Sequence, residues 1–302
     1  MSKIALTPGP VPLGKSGILV SPIAWGMWRF AGASIAEGQA LIEAALDAGV
    51  TLFDTADIYG FDGVGGFGDA EALLGRIFMQ APGLRSRMVL ATKGGIMPPL
   101  PYDSSASYLA GALDASLARM GVEQVELYQI HRPDLLTHPQ EAARALEDAV
   151  SSGKVRAVGV SNYTPAQVRA LAAFLSIPLA SQQPEFSPLH LDPMVDGQFD
   201  LAMEMNMAVL AWSPLGGGRL GDPQDERAQR VVAALDQRAE EAGVSRAAVT
   251  YSWIMAHPAR PIPIAGTQNP ARIAELPDAF KVEWTREQWY SVLVAARGER
   301  LP

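Results

Sequence analysis

Four polar side chains stand where apolar, strand-like runs end. Asp54 closes the run 51–54, Tyr59 lies in the loop beyond it, Lys93 follows the run 88–92, and His131 follows the run 125–130. A phenol, an ammonium, a carboxylate and an imidazole gathered at one rim can place a proton on a carbonyl oxygen. The phenol needs help, because tyrosine titrates near ~10 when unperturbed and a positive neighbour favours its ionised form. Lys93 is the candidate for that neighbour. A lysine at the end of an apolar strand in turn needs a counter-ion, and Asp54 on the adjacent strand can serve. Breaking such a buried pair costs about 3–5 kcal/mol. Each residue also has a plainer reading: Asp54 as a helix cap, Lys93 as a solvated side chain ahead of Gly94 and Gly95, and His131 as a structural histidine ahead of Arg132 and Pro133.

A second set of residues could hold a flat, phosphorylated ligand. Ser161 and Asn162 follow the run 155–160, and Gln183 follows the run 179–182. Trp212 closes the run 208–212, and an aromatic ring there can stack on another flat ring. The stretch 213–220 is rich in glycine, and its backbone N–H groups can approach a pyrophosphate closely. Gly266 to Arg272 leads into a helix N-terminus, a common phosphate site in barrels. The Arg272 guanidinium offers phosphate a planar fork. Helix caps, a core tryptophan and an exposed turn are the competing readings.

The elements that must position these residues alternate. Strand candidates at 23–25, 51–54, 88–92, 125–130, 155–160, 179–182, 208–212 and 263–265 are each followed by a helical segment. Those segments lie at 35–48, 69–78, 107–120, 139–152, 164–174, 194–205, 224–242 and 270–276. Gly49 and Gly121 supply stop signals, and Thr164 before Pro165 is an N-cap with proline in the first helical position. Parallel strands require such crossovers, so the alternation predicts a parallel sheet. Eight units fit a closed (β/α)8 TIM barrel, whose active site lies at the C-terminal ends of its strands. An open doubly wound sheet would need a Gly-x-Gly-x-x-Gly turn after an early strand, and the glycine-rich loop 60–68 is not one. Segments 245–257 and 286–297 read as extra helices towards the C-terminus. The turn 15–18 reads as an N-terminal β-hairpin that could plug the barrel's bottom. With no linker or low-complexity tract, residues 1–302 read as a single domain.

Composition narrows the partners. A chain of 302 residues with 48% hydrophobic content suits one large α/β core. A net charge of -8 without a basic stripe argues against nucleic acid. The lack of cysteine excludes disulfides and thiolate metal sites. Residues 1–12 lack the charged-then-apolar order of a leader peptide, and no apolar stretch is long enough to span a bilayer. A cytoplasmic protein with no membrane partner is therefore expected. A metal-dependent barrel hydrolase is a poor reading, because His138, His190 and His257 all lie away from strand ends; no metal is expected.

Together, Asp54-Thr55-Ala56-x-x-Tyr59-Gly60, Thr92-Lys93, the strand ending in His131, Gly159-Val160-Ser161-Asn162, Ser181-Gln182-Gln183-Pro184-Glu185, Ser213-Pro214-Leu215-Gly216 and Gly266-Thr267-x-x-Pro270-x-Arg272 resemble the motifs of aldo-keto reductases, from Trp25 to the C-terminus. The ending, with Glu287-Gln288-Trp289-Tyr290 and a final Leu-Pro, is similar to bacterial branches. The resemblance implies hydride transfer from NADPH, with NADH as the alternative, to a small-molecule aldehyde or ketone. It implies Tyr59 as general acid, Lys93 lowering its pKa, Asp54 pairing with Lys93, and His131 orienting the carbonyl. Ser161, Asn162 and Gln183 match carboxamide-binding positions, and Trp212 matches the ring that stacks on the nicotinamide. Gly26, Met27 and Trp28, then Ser213, Pro214, Leu215, Gly217 and Arg219, then Gly266, Thr267, Gln268, Arg272 and Glu275 complete the implied cofactor set. Many NADPH-specific relatives carry Lys where this chain has Gly266. Trp28, Phe61, Tyr102 and Tyr163 are the implied pocket walls and suggest an apolar or aromatic carbonyl. The alternative is a cofactor-binding regulatory subunit on the same fold with little turnover. Nothing in the sequence sets an oligomeric state.

Overall fold

The computed structural model describes residues 3–6 and 8–301. Met1, Ser2, Thr7 and Pro302, on which the leader-peptide reading and the Leu-Pro ending partly rest, lie outside the described residues. Two short strands come first, β1 (Val11–Pro12) and β2 (Leu19–Val20), paired antiparallel as the hairpin expected at 15–18. Then follow β3 (Ala24–Gly26), β4 (Leu52–Asp54), β5 (Val89–Gly94), β6 (Val125–Ile130), β7 (Val155–Ser161), β8 (Leu179–Gln183), β9 (Ala208–Ala211) and β10 (Ile262–Ala265). These eight run parallel and close into a barrel, with β10 pairing β3.

The crossovers are α1 (Ile35–Asp47), α2 (Asp69–Gln80), α3 (Ala106–Met120), α4 (Pro139–Ser151), α5 (Pro165–Ala172), α6 (Gln198–Met205) and α7 (Glu226–Ala242), with α9 (Pro270–Ala274) after β10. The two extra helices are α8 (Arg246–Met255) and α10 (Arg286–Arg297). Local chemistry sets the ends. Ser34 with Glu37, and Thr164 with Gln167, form capping boxes at the starts of α1 and α5. Gly121 takes a left-handed conformation at the end of α3. Helix α6 starts at Gln198 rather than near 194, because Gly197 is left-handed and splits a short 3-10 turn, Asp192–Met194, from the α-helix. Strand β5 runs two residues past 92, since Lys93 and Gly94 stay in register with Gln129 and Ile130 of β6. Gln183 likewise belongs to β8, whereas Trp212 lies just past β9.

One core packs between strands and helices and includes Trp25, Phe53, Leu90, Tyr128 and Val158. The other fills the barrel. There Leu13, Ile18 and Val20 of the hairpin region meet Ala24, Leu52, Ala91, Leu127, Ala157, Ala180, Leu210 and Ile262. The hairpin therefore plugs the end where the strands begin. Fully burying one such aliphatic side chain contributes about 1.5–3 kcal/mol. Among the described residues no helix is long and apolar enough to cross a membrane.

Candidate active site

Strand side chains alternate between faces, and this carries the polar residues inward. Asp54 shares the inner face of β4 with Leu52, and Lys93 shares that of β5 with Ala91. On β6, Leu127 and Gln129 lead up to His131, which follows the last strand residue. Tyr59 is brought over this rim by the β4–α2 loop. Lys93 Nζ, fully buried, donates to Asp54 Oδ2 at 2.7 Å, to the Thr55 carbonyl at 2.8 Å and to Tyr59 Oη at 3.0 Å. The Tyr59 ring stands edge-on to His131, with centroids 5.9 Å apart, and edge-on to Trp28 at 5.2 Å on the other side. The four residues singled out first are thus one cluster.

Burial and charge compete in this cluster. Burial pushes the Tyr59 phenol up and the Lys93 ammonium pulls it down; burial wins, so Tyr59 titrates above its ordinary range. The sequence reading had Lys93 lowering that pKa. The pull is present, but desolvation outweighs it here. For Lys93 burial acts to lower the pKa, yet Asp54 and Tyr59 together reverse it, so the ammonium stays charged. Burial and the Lys93 and Arg132 charges hold His131 well below its usual value, so its ring is neutral. Its Nδ1 has no partner among the described residues.

A second chain of hydrogen bonds starts at Asp54. Gln183 Nε2 donates to Asp54 Oδ1 at 3.0 Å. Ser161 Oγ donates to the Gln183 carbonyl at 2.9 Å, and Asn162 Nδ2 donates to Ser161 Oγ at 2.8 Å and to the His131 carbonyl at 3.2 Å. Trp212 Nε1 donates to Asn162 Oδ1 at 3.0 Å. Gln183 faces inward because of a register shift: Val158 pairs with Leu179 but Gly159 pairs with Ser181, leaving Ala180 as an extra residue. Position 159 must be glycine for this approach, since a Cβ there would collide with Ser181 Oγ. The side-chain nitrogen of Gln183 is thus committed to Asp54, which leaves its side-chain oxygen Oε1 for a ligand.

The remaining positions divide. Met27 is fully buried and its N–H donates to the Asp54 carbonyl at 2.9 Å, while Trp28 is exposed at the mouth. After β9, Ser213, Gly216, Gly217 and Gly218 all have positive φ, and open space surrounds Gly217 and Gly218. Pro214 is buried and Leu215 half-buried beside them. Arg219 is tied up with Asp225 at 2.6 Å. After β10, Gly266 also faces open space, Gln268 Oε1 is buried without a partner, and Arg272 and Glu275 are exposed. The Thr267 carbonyl is held by Trp25 Nε1 at 2.9 Å. Of the expected walls, Tyr163 is buried, Tyr102 exposed, and Phe61 half-buried against Phe67. Arg132 was passed over in the sequence. It is half-buried, has no carboxylate partner among the described residues, and lies over the Trp212 ring at 5.6 Å. Its place directly after His131 was the available signal, hidden by a following proline that reads as loop.

Comparison with known proteins adds to this geometry. Residues 22–293 match the family described as the aldo/keto reductase family. The chain is similar to a 6-dehydroglucose reductase of Novosphingobium aromaticivorans, 60% identical over 304 residues and 100% of both chains. It is also similar to a 6-dehydroglucose reductase of Agrobacterium fabrum, 39% identical over 294 residues, covering 93% of this chain and 96% of the relative. In fold it resembles a crystal structure of a thermostable aldo-keto reductase in complex with the inhibitor epalrestat. The TM-score is 0.83 at 21% identity, covering 95% of this chain and 99% of the other.

Proposed function

The chain belongs to the aldo/keto reductase family, and from that membership we propose that it reduces a sugar-like aldehyde with NADPH, Tyr59 serving as the general acid. The observation that carries this reading is the buried Lys93 ammonium bridging Asp54 and Tyr59 at the open end of the barrel. The residues present suit a nicotinamide dinucleotide. The open glycine turn after β9 leaves room for phosphates, Gly266 faces open space, Arg272 is exposed, and Gln268 Oε1 lacks a partner. Trp212, Ser161, Asn162 and the free oxygen of Gln183 would hold the nicotinamide end.

When bound, the reduced nicotinamide supplies the hydride. The Tyr59 hydroxyl gives its proton to the carbonyl oxygen as negative charge builds there, and Lys93 stabilises the phenolate that remains. Asp54 keeps the ammonium aimed at Tyr59. His131 is neutral; with its proton on Nε2 it donates to the same carbonyl oxygen and leaves only a bare acceptor, Nδ1, without a partner.

The substrate class rests on two supports. Both relatives are named 6-dehydroglucose reductase, and Arg132 brings an uncommitted guanidinium beside His131, suited to hydroxyl oxygens. The aromatic walls suit the apolar faces of a sugar ring as well as an aryl carbonyl. Steady-state assays with NADPH should show higher kcat/KM for 6-dehydroglucose than for hexanal. Arg132→Met should raise KM for the sugar roughly tenfold to a hundredfold, as expected for a lost charged hydrogen bond, and barely affect hexanal. Equal losses on both substrates would remove Arg132 from sugar recognition, and equal kcat/KM values in the wild type would remove the sugar.

A further inference from the structure

The glycine turn after β9 has nothing packed against its tip. Ser213, Gly216, Gly217 and Gly218 all have positive φ, and open space surrounds Gly217 and Gly218. Glycine loses more conformational freedom on ordering than any other residue, so a glycine run holds a ligand well only where its ends are already fixed. The near end is fixed by the β8–α6 loop. The Trp212 N–H donates to the Pro184 carbonyl at 3.1 Å, and the Phe186 N–H donates to the Trp212 carbonyl at 3.2 Å. Leu189 lies so close to Gly216 that a Cβ there would sit 3.0 Å from its Cδ1.

The far end is held from a distant part of the chain. The turn closes at Leu220, which is buried and donates its N–H back to the Leu215 carbonyl at 3.3 Å. The Leu220 carbonyl accepts from Arg246 Nη1 at 2.7 Å. Arg246 opens α8, a helix buried without a break from Ala248 to Met255, so it reaches the turn from a rigid support. Asp236 of α7 aims its guanidinium: Nε donates to Oδ1 at 2.5 Å and Nη2 to Oδ2 at 2.6 Å. The carboxylate occupies one edge of the fork and leaves the Nη1 corner for Leu220. A lysine, a point charge on a flexible stem, has no such fixed corner. The neighbouring tie, Arg219 to Asp225, joins two half-exposed side chains, and surface pairs of that kind contribute little. Arg246 is therefore the firmer link between the glycine turn and the helices behind it.

We propose that Arg246, aimed by Asp236, is a positioning residue that pre-forms the glycine turn for the pyrophosphate of a dinucleotide. This rests on the reading of that turn as the phosphate seat. The pyrophosphate is common to NADPH and NADH, so Arg246 serves both alike, whereas Arg272 is expected to favour NADPH. The Arg246 side chain bonds to Asp236 and to the Leu220 carbonyl, and none of its bonds goes to Asp54, Tyr59, Lys93 or His131. It acts on cofactor affinity and leaves the chemistry of the bound complex alone.

The test compares wild type, Arg246→Met, Asp236→Asn and the double variant. Dissociation constants for NADPH and NADH are read by quenching of tryptophan fluorescence, and kcat is read at saturating cofactor. Arg246→Met should raise both constants by a common factor of about ten, as expected for a lost charged hydrogen bond, while kcat falls less than about twofold. Asp236→Asn should raise both by a smaller common factor, about threefold, because Arg246 stays but is aimed less firmly. The double variant should bind no worse than Arg246→Met, since both changes act through one contact. Unchanged affinities with a lower Tm would overturn the proposal and leave Arg246 as a brace between α7 and α8. A loss confined to NADPH, or losses that add in the double variant, would overturn it too. Should Arg246→Met fail to fold, Asp236→Asn decides. The amides of residues 219–222 are hydrogen-bonded within the turn, so their exchange in the cofactor-free variant should be faster than in wild type. Equal exchange there would sink the proposal. A wild type that binds neither dinucleotide removes the phosphate seat itself, whereas a wild type that binds both no better than its variants removes only the role of Arg246.

Discussion

At the scale of single residues, Tyr59 and Lys93 have separable jobs because their contacts differ. Removing the Tyr59 hydroxyl deletes one of three Lys93 hydrogen bonds and leaves those to Asp54 and Thr55. Tyr59→Phe should therefore keep its fold and bind NADPH nearly as well as wild type, while turnover drops roughly 10²–10⁴-fold, the usual loss for a positioned acid. An unchanged kcat would remove Tyr59 from the chemistry. Lys93→Met is a different experiment. It strips Asp54 of its cation in a site closed to water, and losing one partner of a buried pair costs about 3–5 kcal/mol. Activity and melting temperature should fall together. A variant as stable as wild type would mean that the Asp54–Lys93 pair is not a buried ion pair in solution.

At the scale of elements, the loops that follow β9 and β10 are where the proposed cofactor would be held. The β10–α9 loop is pinned by Trp25, whose buried indole N–H donates to the Thr267 carbonyl. Arg272, in the short helix that follows, is exposed, and the proposed reading gives it a ligand phosphate. A charge-assisted Arg–phosphate contact is stronger than a neutral hydrogen bond and is worth about 1.5–3 kcal/mol. Arg272→Ala should weaken NADPH binding roughly tenfold to a hundredfold and hardly touch NADH, measured by quenching of tryptophan fluorescence. Gly266→Lys should shift preference further towards NADPH. The space around Gly266 is empty and its φ is not left-handed, so a longer side chain enters without strain. Equal losses for both cofactors in Arg272→Ala would make this arginine a support for the loop or for the adenine.

At the scale of the whole molecule, stability and chemistry sit at opposite ends of one barrel. The hairpin buries Leu13, Ile18 and Val20 against the layer of small and aliphatic residues where the strands begin. The tetrad of Asp54, Tyr59, Lys93 and His131 occupies the other end. Ile18→Ala should cost about 2–5 kcal/mol, as expected for a large-to-small change in a core, and lower the melting temperature by several degrees. Its kcat/KM at a temperature well below the transition should match wild type. A matching loss in kcat/KM would show that the plug is coupled through the barrel to the tetrad.

What could be read from the sequence was local. The ends of apolar runs marked Asp54, Lys93 and His131 as residues of one rim, signals such as Gly49, Gly121 and Thr164 marked helix ends, and the order of elements implied a parallel barrel. These signals depend on neighbours a few residues away, so they survive without a fold. The rest depended on contacts between distant segments. The extra residue at Ala180 reverses the inward set of β8 and turns Gln183 onto Asp54, and it shows only in the register against β7. Arg132 became a site candidate once Trp212, from the loop after β9, lay beneath it. The net direction of the Tyr59 titration was decided the same way. The sequence supplied the lysine that pulls it down, but only the closed barrel sets the depth of burial, and desolvation is what prevails.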